Sequence, residues 1–161
     1  AGAAARLARA WEGAPRALIS SFVFDSQVLL EKYVPGRELA GSILGAEPRV
    51  LPIVEVIPKT EFFDFESRYT MGKADYIVPA ELDDETQAEA EAVSLRAFKA
   101  LGCSGFGRVD LILSPDGSLS VLEINTIPGF TETSLLPMAA QAVDIGFKEL
   151  VEEILLCALA D

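Results

Sequence analysis

Residues 105–130 read GFGRVDLILSPDGSLSVLEINTIPGF, the segment most informative about the fold of the chain. Two apolar runs rich in β-forming residues, Phe106 to Leu113 and Leu119 to Asn125, flank the turn sequence SPDGS. A two-residue Asp-Gly turn between such runs predicts an antiparallel β-hairpin. In that hairpin Pro115 faces Ser118, so the numbers of any two paired residues add up to an odd value.

This parity places polar side chains on one face of the predicted hairpin. Asp110 falls directly across from Glu123, and Arg108 falls across from Asn125. Two opposed carboxylates repel each other and destabilise a sheet unless a cation compensates them. Oxygen-only ligands from Asp, Glu and Asn suit Mg²⁺ or Mn²⁺ shared with substrate phosphates, and do not suit zinc. We therefore predict a metal site on this face, with Arg108 beside it to hold a phosphoryl group.

The alternative for this face is an ordinary exposed polar surface on which Arg108 pairs with one of the carboxylates. The residues that follow favour a functional site. Residues 126–134, TIPGFTETS, contribute Gly129 and several hydroxyl groups in a turn whose backbone can approach an anion closely. Ser134 can also cap a helix that begins at Leu135, which is compatible with binding a carboxylate at that helix end.

Outward from the hairpin, the pattern of apolar residues predicts a mixed α and β structure. Strands at 39–44 and 50–57 lie too close together in the chain for a crossover helix, so the sheet is antiparallel. Residues 59–73 are dense in aromatic and charged residues and predict an ordered, functional loop. The other predicted elements are helices at 3–11, 15–24, 84–101 and 147–160 and strands at 28–34 and 75–78.

The two long helices carry recognisable end signals and apolar stripes. Asp83 or Asp84 can cap the first of them, with Gln87 completing a capping box and Gly102 ending the helix. The predicted buried stripe of that helix is Ala88, Ala92, Leu95 and Phe98. The predicted buried stripe of the last helix is Phe147, Leu150, Ile154 and Ala158.

Composition limits the classes of function that the chain can perform. Lys and Arg total 13 against 25 Asp and Glu, and this net charge of −12 opposes binding to nucleic acid or anionic lipid. No apolar run reaches the ~20 residues of a membrane span, and Cys103 and Cys157 suit small thiols in a reducing cytoplasm. The sequence has no histidine, so catalysis must depend on carboxylates, Arg, Lys, Tyr, backbone amides or metal ions.

Four separated segments resemble the D-alanine–D-alanine ligases, in the same order and at similar separations. They are LLEKYVPGRE (29–38), FFDFESRYTMGKADYIVPA (62–80), ALGCSGFGRVDLILSPDG (100–117) and VLEINTIPGFTETSLLPMAA (121–140). The resemblance covers about 25–159. It implies an α+β fold, the C-terminal lobe of an ATP-grasp enzyme at 25–161, with a largely antiparallel sheet and flanking helices. Residues 1–24 are then a helical remnant of the preceding lobe or foreign to the natural sequence.

The first two segments imply where the nucleotide binds. Glu31, Lys32 and Val34 look like the hinge strand that hydrogen-bonds adenine, although the two charged residues can also be solvated strand residues. Glu38 looks like the acid that takes the ribose hydroxyls. Arg68 stands where the family usually has a lysine that reaches the ATP phosphates, so the charge is kept and the geometry is not.

The last two segments imply the metal site and the catalytic residues. Asp110, Glu123 and Asn125 match the ligands of two Mg²⁺ or Mn²⁺ ions that bridge the ATP phosphates. Arg108 matches the arginine that steadies the transferring phosphate and the tetrahedral intermediate.

The acceptor site is also implied by the resemblance. The backbone of Gly129 matches the oxyanion site, and Ser134 and Leu135 match the turn that receives the carboxylate of the second D-alanine. Tyr69 matches the tyrosine of a mobile loop that closes over the substrates, although it can also be a packing residue. Because relatives that make an ester with D-lactate carry a histidine in that loop, Tyr69 predicts D-alanyl-D-alanine as the product.

The resemblance thus implies an ATP-dependent ligase of peptidoglycan synthesis that joins two D-alanine molecules through an acyl phosphate. We expect a cytoplasmic enzyme, a homodimer at full length, with no nucleic-acid or membrane partner. The N-terminal domain that holds the first D-alanine is absent from the sequence, so we expect this piece alone to be inactive. The alternatives are another ATP-grasp carboxylate–amine ligase, or a non-catalytic binding module that kept only the fold.

Overall fold

The computed structural model describes residues 8, 11–58 and 74–160, in two compact units. The first unit comprises Ala1–Val34 and Pro58–Asp75, and the second comprises Pro35–Ile57 and Tyr76–Asp161. The first unit contains a 3₁₀ turn, Trp11–Gly13, and helix α1. The elements are α1 (Ala14–Ser21), β1 (Arg37–Leu44), β2 (Arg49–Val50), β3 (Val54–Pro58), β4 (Ala74–Ile77), α2 (Asp84–Ala100), β5 (Phe106–Leu113), β6 (Leu119–Asn125), α3 (Leu135–Gln141) and α4 (Phe147–Ala160).

The strands form one sheet in the order β4-β3-β1-β5-β6, with β2 paired to β1. Strand β1 is antiparallel to β2, β3 and β5, and β5 is antiparallel to β6, so the predicted antiparallel α+β fold is confirmed. Alternate residues of β1 face two separate cores. Leu39 and Ile43 pack against α2, whereas Ala40 and Leu44 pack against α3 and α4. The sheet is therefore covered by helices on both faces.

Two strand predictions were wrong in the part of the chain that the structure describes. Residues 28–34 form no strand, and Leu29 and Leu30 are exposed. An apolar run becomes a strand only where a neighbouring strand supplies hydrogen bonds, so local propensity was overridden. The predicted strand 50–57 is divided into β2 and β3. Pro52 lies in the break, and it cannot donate a backbone hydrogen bond to a neighbouring strand.

Helix α2 begins with an aspartate cap, as predicted for Asp83. The Asp83 side chain accepts hydrogen bonds from the Thr86 backbone N–H at 2.9 Å and from the Thr86 hydroxyl at 2.8 Å. These two bonds lower the pKa of Asp83 below its ordinary value. Gln87 instead donates to Glu91 at 2.5 Å, so the predicted capping box is wrong. Gly102 follows the helix with φ +66°, which is the expected stop.

The buried stripes of both long helices match the predicted ones only in part, with Phe98 and Leu150 buried as predicted. In α2 the buried residues are Ala90, Ser94 and Phe98, and the predicted Ala88 is exposed. The inward residues of α4 are Leu150, Ile154 and Cys157, whereas Phe147 and Ala158 are exposed. Periodicity located each helix, but the rotation about its axis depends on which neighbours it packs against.

A pair of hydrogen bonds connects the last helix to strand β2, which begins at Arg49. Arg49 donates to the Glu153 carboxylate at 2.5 and 2.8 Å. This guanidinium holds the pKa of Glu153 below its ordinary value. Near the N-terminus, the predicted helix 15–24 is observed as α1 and ends at Ser21, while the predicted helix 3–11 lies almost wholly outside the described residues. No helix among the described residues is long and apolar enough to cross a membrane.

Helix α2 approaches the sheet closely at Gly41 of β1. A Cβ added at Gly41 would collide with the hydroxyl oxygen of Ser94 and lie 2.9 Å from the Ser94 Cβ. Ser94 is fully buried in α2 and donates its hydroxyl to the Ala90 carbonyl at 2.8 Å. Glycine at position 41 therefore allows α2 to pack directly onto β1.

We expect Gly41→Ala to lower the free energy of unfolding by about 2–3 kcal/mol, because neither the backbone of β1 nor the buried Ser94 of α2 has room to move. In a double-mutant cycle, Ser94→Gly should relieve the collision and give a favourable coupling energy of about 1–2 kcal/mol. Denaturant unfolding of the four proteins measures both quantities. A coupling energy near zero would show that the two residues do not limit this packing.

Candidate functional site

The register of the β5–β6 hairpin places the predicted site residues opposite each other. Arg108 pairs with Asn125 and Asp110 pairs with Glu123, which confirms both predicted pairs. The predicted two-residue turn, however, is wrong. The Ser114 N–H donates to the Ser118 carbonyl at 2.9 Å and the Gly117 N–H to the Ser114 carbonyl at 2.9 Å. The loop thus contains three residues and ends in Gly117 with φ +84°.

A β-bulge compensates for the longer loop. Next to the loop, Leu113 pairs with Leu119 and Leu111 with Val121, so the paired numbers add up to an even value there. The register shifts between Asp110 and Leu111, where Leu122 is the additional residue of β6. Beyond this bulge the numbers of paired residues again add up to an odd value. Asp110 and Glu123 therefore lie on the same face, as predicted.

Four polar side chains meet on this face of the hairpin. Arg108 donates its Nε to Oδ1 of Asp110 at 2.6 Å and its Nη2 to Oδ2 at 2.9 Å. Asn125 Nδ2 donates to Asp110 Oδ2 at 3.1 Å and to Glu123 Oε1 at 3.4 Å. Arg108 does pair with a carboxylate, as the alternative interpretation required, but each side chain of that pair is only 13% exposed. The pair is therefore not an ordinary surface ion pair.

The donor atoms of this cluster fit a divalent cation that is shared with a ligand. In the described part of the chain, no three side chains of Asp, Glu, His or Cys lie together as a metal site. Two carboxylates and one amide are available, and the amide of Asn125 links the carboxylates of Asp110 and Glu123. Rotating that amide by half a turn would present its oxygen in place of its nitrogen. Such a partial oxygen set suits Mg²⁺ or Mn²⁺ whose other ligands come from phosphates and water.

A second cluster lies in the turn before α3. A Cβ added at Gly129 would lie 3.2 Å from the Ser134 hydroxyl oxygen, so these two predicted site residues are neighbours. The Ser134 hydroxyl accepts from the Thr131 N–H at 3.1 Å and lies 2.8 Å from the Thr131 hydroxyl. Ser134 occupies the cap position of α3, which begins at Leu135, but its side chain makes no capping bond. The predicted side-chain cap is therefore wrong, and Ser134 instead closes the preceding turn.

Phe130 anchors this turn, and sequence analysis missed it. Its ring contacts Phe106 edge-on, with ring centres 6.3 Å apart, and packs against Phe147 at 5.3 Å. Phe106 is the first residue of β5, so these contacts fix the turn to the same strand that carries Arg108. The sequence feature that could have indicated this anchor is an aromatic residue directly after a glycine.

Glu38 lies on the same sheet face as the polar cluster. The register of β1 and β5 pairs Ala40 with Asp110 and Glu38 with Ile112, so these side chains point to one side. Glu38 is half-buried. Its position is compatible with a ligand that extends along β1 from the cluster.

Ser42 lies on this face too and was also missed by sequence analysis. It pairs with Arg108 across the β1–β5 ladder and is completely buried. Its hydroxyl oxygen has no hydrogen-bond partner among the described residues. No feature of the sequence distinguished this serine from its small neighbours in β1.

The remaining predicted residues fall in the first unit or outside the described residues. Glu31 and Lys32 are exposed and Val34 is half-buried, in a segment without regular structure. Arg68 and Tyr69 lie outside the described residues, so their predicted roles stay predictions.

Comparison with known proteins identifies the family. Residues 5–156 match the family model described as D-ala D-ala ligase C-terminus. The D-alanine–D-alanine ligase of Desulforudis audaxviator is 47% identical over 130 residues, which are 80% of this chain and 42% of that protein. The corresponding ligase of Carboxydothermus hydrogenoformans is 42% identical over 147 residues, which are 90% of this chain and 47% of that protein.

Solved structures agree with this assignment. The D-alanine–D-alanine ligase of Bacillus anthracis complexed with ATP has a TM-score of 0.79 at 34% identity, covering 94% of this chain and 47% of that chain. The VanG D-Ala:D-Ser ligase of Enterococcus faecalis has a TM-score of 0.75 at 30% identity, covering 89% and 42%. The chain spans less than half the length of these relatives. On this evidence the chain belongs to the D-alanine–D-alanine ligase family and corresponds to its C-terminal part.

Proposed function

We propose that this chain is the nucleotide- and metal-binding part of an enzyme that joins two D-alanine molecules at the expense of ATP. The observation that supports this most is the cluster of Arg108, Asp110, Glu123 and Asn125 on one face of the hairpin. Opposed carboxylates beside a half-buried arginine are a costly arrangement for the fold alone, and they suit a cation and a phosphate as ligands.

Asp110, Glu123 and Asn125 would hold two divalent cations, either Mg²⁺ or Mn²⁺. When bound, such ions neutralise charge on the ATP phosphates and on the transferring phosphoryl group. Arg108 donates two parallel N–H groups, and this geometry fits an oxygen pair of the transferring phosphate. Glu38 extends the same face and accepts hydrogen bonds from the ribose hydroxyls, while Glu31, Lys32 and Val34 bind adenine.

The acceptor side of the reaction is assigned to the turn before α3. In the first step a carboxylate oxygen of one D-alanine attacks the γ-phosphorus of ATP, forming an acyl phosphate and releasing ADP. The amine of the second D-alanine then attacks the acyl carbon, phosphate leaves with the bonding electrons, and the nitrogen releases a proton to the leaving phosphate or to water. The backbone N–H of Gly129 and the Arg108 guanidinium stabilise the negative oxygen of the tetrahedral intermediate. Ser134 and Leu135 receive the carboxylate of the second D-alanine, and Tyr69 and Arg68 close over the reactants.

The natural setting of this reaction is also part of the proposal. The enzyme would supply a dipeptide for peptidoglycan synthesis in the cytoplasm and act as a homodimer at full length. Residues 1–24 would belong to the lobe that precedes the nucleotide-binding lobe. Because the net charge is −12, an anionic substrate would have to be held by local cations, and the same charge opposes nucleic acid as a partner.

Two measurements test the proposal. Isothermal titration of the 161-residue chain with a non-hydrolysable ATP analogue should show binding that is much weaker when EDTA replaces Mg²⁺. In the complete natural protein, ATP with equal D-alanine, D-serine and D-lactate should yield mainly D-alanyl-D-alanine by mass spectrometry. Because one structural neighbour is a D-Ala:D-Ser ligase, a predominant D-alanyl-D-serine product would reassign the acceptor. Absence of magnesium-dependent binding would contradict the metal and nucleotide assignment.

A further inference from the structure

A buried serine in β1 has no structural role that explains its hydroxyl group. Ser42 is completely buried, and its Oγ has no hydrogen-bond partner among the residues that the structure describes. On the same face its neighbours along the strand, Ala40 and Leu44, pack against apolar residues of α3 and α4. An unpaired hydroxyl in such a place destabilises the fold relative to alanine, so its presence requires an explanation.

The polar neighbour of Ser42 is Arg108. The two residues pair directly across the β1–β5 ladder, and side chains so paired have Cβ atoms about 4.5–5.5 Å apart on the same face. Arg108 uses its Nε and Nη2 atoms to bind both carboxylate oxygens of Asp110. Ser42 therefore lies directly across from the Arg108 side chain on one face of the sheet, and Asp110 holds the guanidinium of that arginine.

The proposed function requires this ion pair to change. If the Asp110 oxygens turn toward a cation, the Arg108 guanidinium loses two charge-assisted hydrogen-bond acceptors. Only one edge of the guanidinium can face the phosphate, so the phosphate does not replace both of them. A guanidinium has five N–H donors in a fixed plane and cannot release a proton. In the described part of the chain, Ser42 Oγ is the buried side-chain oxygen that is still without a hydrogen-bond partner.

We infer that Ser42 is a positioning residue for Arg108 in the nucleotide-bound state. Its hydroxyl oxygen accepts a hydrogen bond from the Arg108 guanidinium when Asp110 turns toward the cation. That bond replaces one of the bonds to Asp110 and keeps the opposite edge of the guanidinium directed at the transferring phosphate. This inference rests on the proposed function.

The first test observes Arg108 in the 161-residue chain. The ¹H–¹⁵N signal of its Nε–H group can be assigned by its loss in Arg108→Lys. Without nucleotide, we expect the same exchange rate with water in the unaltered chain and in Ser42→Ala, because Asp110 protects the group in both. With Mg²⁺ and AMP-PNP bound, we expect exchange to be about tenfold faster in Ser42→Ala, because a protecting acceptor is missing.

The second test uses catalysis by the complete natural protein. Ser42→Ala should lower kcat about tenfold and leave the KM for ATP within about twofold, since loss of a supporting contact disturbs geometry more than binding. The melting temperature should stay the same or rise, because the variant removes a buried unpaired hydroxyl. Ser42→Thr retains the hydroxyl and should restore kcat if its melting temperature shows that it folds. Ser94→Ala removes the second fully buried serine hydroxyl of the described residues and should leave kcat unchanged.

The outcomes separate this inference from the proposed function. If the unaltered chain does not bind AMP-PNP with Mg²⁺, the proposed function fails and the inference fails with it. If the unaltered protein binds and catalyses while Ser42→Ala matches it in exchange rate and kcat, only the inference is overturned. Ser42 would then be a small residue that lets α3 pack onto β1.

Discussion

Glu123→Gln is expected to lower the affinity of the chain for the magnesium complex of an ATP analogue by about 100-fold or more. The substitution keeps the size of the side chain and its contact with the Asn125 amide, but removes the negative charge. Asp110 already shares its charge with Arg108 at 2.6 Å, so Glu123 provides much of the charge that attracts a cation to this face. A loss of 100-fold corresponds to about 2.7 kcal/mol, which is in the range for removing a metal ligand.

Isothermal titration with Mg²⁺ and with EDTA measures this effect directly. Glu91→Gln is the matched control, because Glu91 lies on α2 and accepts a hydrogen bond from Gln87 at 2.5 Å, away from the hairpin face. The control should bind the magnesium complex as the unaltered chain does. If Glu123→Gln still shows the full enhancement by Mg²⁺, the assignment of the cation to this face is wrong.

Arg108→Lys is expected to lower kcat of the complete natural protein by roughly 10²–10³-fold, with a smaller change in the KM for ATP. Lysine keeps the positive charge and can still contact Asp110, but it cannot donate two parallel N–H groups. Arg108 makes such a paired contact with Asp110 in this structure, at 2.6 and 2.9 Å. The same planar geometry would be required to hold a phosphate that carries charge on several oxygens in the transition state.

Steady-state kinetics at saturating D-alanine measure this effect, and thermal unfolding checks the fold. Arg96→Lys is the matched control, because Arg96 is exposed on α2 and pairs with Glu89 at 3.1 Å. A kcat of Arg108→Lys within about threefold of the unaltered protein would mean that Arg108 has only a structural role in pairing with Asp110.

Much of the site could be predicted because it depends on local rules. Two short strands with an Asp-Gly turn between them define a hairpin, and the alternation of side chains then assigns each residue to a face. The observed bounds of β5 and β6 are those predicted, and Asp110 does lie opposite Glu123. The limits of α2 and α4 were also close, because caps and glycine stops act within a single turn of helix.

Features that depend on distant partners could not be predicted in the same way. Residues 28–34 have the composition of a strand, but they are not paired with one. The insertion of β1 between β3 and β5 depends on contacts far apart in sequence, and it brings Ser42 beside Arg108. Helix α2 turns Ala90 and Ser94 toward the sheet because it approaches β1 closely at Gly41. The spacing of apolar residues along the helix does not indicate this approach.

The three-residue loop and the bulge at Leu122 also restrict which insertions and deletions the hairpin can tolerate. Deleting one residue of β6 between the loop and the bulge, for example Ser120, would move Leu122 opposite Leu111, remove the bulge and leave Glu123 across from Asp110. Inserting one residue at the same place in β6 would instead leave two residues without a partner in β5, or turn Glu123 away from Asp110. An engineered two-residue loop made by deleting Asp116 should leave the pairing of Ser114 with Ser118, and therefore the site, unchanged.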